Sequence, residues 1–270
     1  MILLLLRVAI APLIVVGGTL VQRRFGHAVG GLVIGLPLSS LPLLWLVALQ
    51  HGSLFASSMS GAVLVGASAQ AVVMWVYALL APRISPVLAL VGALGSFVVT
   101  IGALNLFNLS ALLASLLATA GFAMALYWWP YSESATQESG HYRLILRVAI
   151  SAGFTLFLVT VAGRIGPGFS GLIDALPMMS LVMAYVTHQE LGANASAQFL
   201  HGVTKGSFSY VASMLVLADL LRSGNVGLAF LSAIGVALVV QLCVQSLDTF
   251  PSIKRVLNVP LVSLRVSLKS

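Results

Sequence analysis

The sequence predicts an all-α polytopic membrane protein with nine transmembrane helices and a degenerate tenth position. It is arranged as two inverted five-helix repeats whose second and seventh helices are kinked or broken. Three observations carry this expectation. First, hydrophobic residues make up 60% of the chain and charged residues 7%, and the mean hydropathy is +1.09. A water-soluble domain carries about 25% charged residues, so the solvent of this chain is lipid. Second, displacing the chain by 140 residues superimposes Leu4–Leu41 on Leu144–Leu181 with fifteen identities in thirty-eight positions and no gap. The chain is a duplicated unit. Third, the basic residues gather after alternate apolar runs, which sets a direction for each.

A span needs ~20 mainly apolar residues to cross ~30 Å of hydrocarbon. On that measure the first unit, 1–130, holds spans at 3–21, 28–50, 59–80, 86–105 and 109–129, the last two divided at Asn105-Leu106-Phe107-Asn108. The first of these lacks a basic leader and has an internal mate at 144–163, so it reads as a retained span rather than a signal peptide. A polar linker at 131–142 precedes a second unit, 143–250, with spans at 143–163, 170–189, 200–221 and 226–247. Symmetry marks a tenth position at 251–270, where Lys254, Arg255, Arg265 and Lys269 fall. That basic content predicts an amphipathic segment on the cytoplasmic surface or a degenerate span.

Arg23, Arg24, Arg83, Arg143 and the four basic residues of the tail follow odd-numbered spans, against Arg164 and Arg222 after even-numbered ones. The expectation is an N-terminus outside, a C-terminus in the cytoplasm, and a second unit that enters the membrane in the opposite sense to the first. The net charge of +7 then serves topology and anionic head groups, and nucleic acid is not expected as a partner. Compactness without long loops points to a bacterial inner (cytoplasmic) membrane. One cysteine, Cys243, excludes an internal disulfide. No nucleotide, metal or other cofactor fingerprint is present. The expected partners are the lipid bilayer and a small-molecule or ion substrate, and a homodimer is left open.

Each unit carries a glycine-rich lead into Leu-Pro within its second span. Gly26, Gly31, Leu36, Pro37 and Ser40 recur as Gly166, Gly171, Leu176, Pro177 and Ser180. Proline has no amide hydrogen and its ring clashes with the carbonyl four residues back, so Pro37 and Pro177 break their helices. The freed carbonyls need partners, which the hydroxyls of Ser39, Ser40 and Ser180 are near enough to supply. Interrupted helices at matching places in two inverted halves mark the central site of a secondary transporter. Gly31 and Gly171 serve close approach at that site.

Where register holds but chemistry differs, the second half is the polar one. Asp174, His188, Thr204, Lys205, Asp219 and Gln241 stand at the positions of Ile34, Ala48, Leu64, Val65, Leu79 and Ile101. A charge at mid-membrane costs at least ~2.5 kcal/mol, so it is paired or faces a wet cavity. Asp174 is the expected proton or cation site, with Lys205 its partner or an anion contact. Asp219 and Arg222, three apart, are positioned to pair over one helical turn. Arg24 and Arg164 precede the two glycine leads and are read as helix-end caps, snorkelling groups or anion contacts, and Arg7 and Arg147 further upstream as helix-end caps or gating groups at each face. His188, Glu190, Asn194 and His201 lack metal-ligand spacing and read as loop residues.

Gly168-Phe169-Ser170-Gly171 resembles the GxSG form of rhomboid intramembrane proteases, over four residues only. That likeness implies a serine nucleophile at Ser170 with His188 or His201 as base, a remote alternative to a non-enzymatic role. The plan of two inverted five-span units is similar to that of the drug/metabolite transporters and the bile-acid carrier group, and implies no substrate. The expected function is alternating-access movement of a small solute coupled to a proton or cation. A lipid flippase, scramblase or membrane assembly factor is the second expectation.

Overall fold

A computed structural model describes residues 17, 20–21, 24–38, 40–130 and 166–249, and its regular structure among them is entirely helical. In the first half α1 is His27–Ile34, α2 Ser40–His51, α3 Ser53–Leu80, α4 Pro86–Leu104 and α5 Ala111–Tyr127. In the second half α6 covers 166–174, α7 is Met178–Leu191, α8 Ala193–Leu220 and α9 Val226–Thr249, with a 3-10 turn at Leu221–Ser223. The expected spans at 3–21 and 143–163, the linker, Ser39, Arg164 and the basic tail lie outside the described residues.

Local signals explain these boundaries. Gly52 and Gly192 hold φ of 88° and 85°, a region open to glycine at little cost, and each lets the chain turn directly into a 28-residue helix. Ser85 accepts from the Leu88 amide ahead of Pro86, and Asn225, 140 residues later, accepts from the Leu228 amide at 3.1 Å. Ser110 caps α5 in the same way. These side chains satisfy amides that a helix start leaves without partners. The duplication therefore extends from residue identity to the backbone turns.

At the centre, α3 and α8 cross antiparallel. Near one end the Ser57 hydroxyl donates to the Ala218 carbonyl at 2.6 Å. Near the other, Tyr77 of α3 meets His188, just before α8, with 3.4 Å between its hydroxyl and Nδ1. Around this pair α4 and α5 lean on α3, α9 leans on α8, and α5 also touches α8. Met59, Val63, Met74 and Tyr77 of α3 are fully buried, as are Phe199, Val203, Met214 and Leu217 of α8.

The outer helices expose apolar faces. Val99 of α4 is 73% exposed and Leu231 of α9 is 71% exposed, which in water would leave a continuous apolar belt uncovered. Among the described residues, four segments are long and apolar enough to cross a membrane: Ser53–Leu80, Pro86–Leu104, Gly166–Leu191 and Val226–Ser246. Ser40–His51 and Ala111–Tyr127 are apolar but shorter. Exposed Tyr127 and Trp128 end α5, and the Trp75 indole donates to the Trp128 carbonyl at 3.0 Å. Such amphipathic rings suit the boundary between hydrocarbon and head groups.

Candidate functional site

The two Leu-Pro elements break their helices in the same way. Pro37 has no amide hydrogen for the Val33 carbonyl, and the Leu36 amide takes that carbonyl instead at 3.2 Å. Pro177 leaves the Ile173 carbonyl, which the Leu176 amide takes at 3.1 Å. Beyond each break the Leu41 and Leu181 amides donate to the Pro37 and Pro177 carbonyls at 3.0 and 2.8 Å, and a new helix begins. The released carbonyls are thus met by a tightened backbone turn. The Ser40 hydroxyl is directed elsewhere.

Glycines bring each break against a long helix of the other half. A Cβ on Gly31 would collide with the Phe199 carbonyl and the Val203 amide, and one on Gly171 with the Met59 carbonyl and the Val63 amide. Phe199 and Val203 are the 140-residue mates of Met59 and Val63, so each contact recurs with the halves exchanged. One turn on, Gly35 abuts Gly206 while Ala175 abuts Gly66. Backbone contact this close needs small residues on both sides.

One further turn along, each long helix presents a polar side chain: Tyr210 after Gly206 and Gln70 after Gly66. The Ser40 hydroxyl donates to the Tyr210 hydroxyl at 3.4 Å, and Ser40 is also a hydrogen-bond partner of the Asp174 carboxyl. Tyr210 is close enough to Asp174 for a direct electrostatic interaction. Ser40 and Tyr210 are both buried. Asp174 closes α6, and its Oδ2 is buried with no hydrogen-bond partner. The Oε1 of buried Gln70 is likewise without one. The site thus holds a carboxyl at the carbonyl end of a broken helix, where the helix dipole disfavours negative charge. Its polar neighbours Ser40 and Tyr210 bring hydroxyls from both halves.

Of the residues expected at this site, Pro37, Pro177, Ser40, Gly31, Gly171 and Asp174 lie at the two breaks, with Ser180 buried at its matching position. Ser40 and Tyr210 are set against the Asp174 carboxyl, and Lys205, which also has an interaction partner, is half-buried on α8 at the position matching Val65. Arg24 is exposed, with its guanidinium 5.7 Å from the centroid of the Phe25 ring. The expected pairing of Asp219 with Arg222 is not formed. Both side chains are exposed on the surface, where water serves them as well as an ion pair would.

Ser170 is fully buried, and its hydroxyl donates to the Gly166 carbonyl at 2.6 Å. His201 packs edge-on against Trp129 with ring centroids 5.4 Å apart. Among the described residues no group of three or more His, Cys, Asp or Glu side chains is placed to hold a metal. Tyr210 and Gln70 were not singled out by sequence. Their signal was two polar groups at the 140-residue spacing inside the longest helices. No family model, curated protein or solved structure matches this chain.

Proposed function

We propose that the chain is a secondary transporter that moves a small solute by alternating access, with a proton or cation bound at Asp174 as the coupling charge. The observation that carries this reading is the Asp174 Oδ2, buried without a partner at the end of a broken helix. A carboxylate in that position needs a proton or a metal cation before it is at ease in a low-dielectric interior. The two-half construction fits the same reading, because the coupling charge lies where a break from one repeat meets a long helix and a hydroxyl from the other.

The proposed architecture is two inverted five-span units, the second with a degenerate last span, in a bacterial inner membrane with the N-terminus outside. Support for inversion comes from the antiparallel crossing of α3 and α8, which are mates in the 140-residue register. Alternating access then amounts to one unit rocking on the other about the glycine contacts. No hydrolytic chemistry is part of this reading, since Ser170 spends its proton on a helix carbonyl.

The test uses the full chain in proteoliposomes loaded with a pH-sensitive dye and a panel of small solutes applied outside under a proton or sodium gradient. Wild type should show solute-dependent proton or sodium movement. Asp174→Asn should retain folding and lose the gradient dependence. Gradient-driven uptake that survives Asp174→Asn overturns the assignment.

A further inference from the structure

Between the N-terminal half of α3, the start of α5 and the end of α8 lies a groove of about 710 Å³, within the size range of ligand sites. Leu54, Ser57, Ser58, Gly61, Ala62 and Val65 line it from α3. Their spacing by one, three and four puts them on one helix face, and the eleven steps from Leu54 to Val65 at ~1.5 Å each make a strip ~16 Å long. That is about half of a ~30 Å hydrocarbon core, the depth of one leaflet. The hydroxyls along it are engaged within the chain. Ser57 donates to Ala218 at 2.6 Å and Ser58 to Leu54 at 3.0 Å, while Ser110 accepts from the Leu113 amide. What the groove offers a ligand is therefore apolar side chains interleaved with polar atoms that already hold hydrogen bonds within the chain.

Arg222 lines the groove from the 3-10 turn that follows α8. Its side chain is exposed and has no ion-pair partner among the described residues, Asp219 one turn earlier included. The matching strip of the second half is chemically opposite. Leu54, Ser58, Gly61 and Val65 correspond to Asn194, Gln198, His201 and Lys205, each of which has a polar, ionic or ring partner. One copy of this surface carries polar side chains with partners, while the other keeps Leu54, Gly61 and Val65 beside one cation, Arg222, that has no ion-pair partner among the described residues. We infer that the groove holds an anionic phospholipid of the surrounding bilayer, its phosphate at Arg222 and one acyl chain along Leu54 to Val65. A guanidinium offers the forked donors that phosphate oxygens accept, and basic pockets between membrane helices at the head-group level take anionic lipids. This site is independent of the solute carried.

The inference is tested by native mass spectrometry of the full chain released from nanodiscs containing equal phosphatidylglycerol and phosphatidylcholine. Wild type should retain phosphatidylglycerol at least fivefold over phosphatidylcholine. Arg222→Gln should bring that ratio to near one. No atom lies within 4 Å of a Cβ built on Gly61, so Gly61→Phe should fill the groove, keep the wild-type melting temperature and lose the retained lipid of both kinds. Equal retention by wild type, or unchanged selectivity in both variants, overturns the inference. So does a lipid-free dimer, which would put a second copy in the groove, or displacement by inorganic phosphate alone, which would make this a soluble-anion site.

Discussion

Ser40 and Tyr210, from opposite halves of the chain, meet hydroxyl to hydroxyl at 3.4 Å, and Ser40 is at the same time a partner of the Asp174 carboxyl. A serine hydroxyl has one proton to donate. When Asp174 is ionised that proton is drawn to the carboxylate, and when Asp174 is protonated the carboxyl donates to Ser40, which turns to Tyr210. On the transport reading, the occupancy of Asp174 is thereby felt across the contact between the halves.

This direction of donation ranks two substitutions. Ser40→Ala removes a donor to a charged acceptor, an interaction worth about 1.5–3 kcal/mol, so gradient-driven uptake in proteoliposomes should fall at least about tenfold. Tyr210→Phe leaves Ser40 free to serve Asp174 and should cost less. An uptake assay that finds Tyr210→Phe the more damaging of the two removes the relay.

The glycine contacts predict a contrast in stability. Gly31→Ala and Gly171→Ala each place a methyl against the backbone of a helix from the other half, and overpacking of this kind costs about 1–3 kcal/mol. Gly61→Ala meets open space and gains helix propensity of up to about 1 kcal/mol. Unfolding in mixed micelles should separate the first two variants from the third, and equal stability of all three would show that the close approach is absent.

Inversion makes a prediction about sides. His51 and Asn194, both exposed, flank the matching Gly52 and Gly192 turns. With Cys243 replaced by serine, a cysteine at residue 51 should react with an impermeant maleimide on one face of oriented vesicles and a cysteine at residue 194 only on the other. Labelling of both from the same side contradicts inverted units.

Much of this architecture was legible in the sequence because proline, glycine and the 140-residue register act locally. Pro37 and Pro177 dictate a break whatever surrounds them, and Gly31 and Gly171 announce close packing without naming the partner. What could not be read was which surfaces meet. Charge is the only cue the sequence offers to a companion for Asp174, and it points to Lys205 while leaving uncharged neighbours unmarked. The structure sets Ser40 and Tyr210 there, since the side of α8 that Gly206 presses on Gly35 carries Tyr210 with it. Gln70 escaped notice for a similar reason: an amide in an apolar helix is conspicuous only when its buried Oε1 is found without a partner.

The reciprocal glycine contacts resemble the self-complementary interface of a two-fold dimer, and a dimer of identical chains must make every substitution twice. Two Asp174 equivalents would bring two carboxylates into one interior. A single chain is free of that restriction: Ile34 fills the counterpart of Asp174. On the transport reading, the stoichiometry of one coupled charge per cycle is a product of duplication, written into the chain when its halves ceased to be interchangeable.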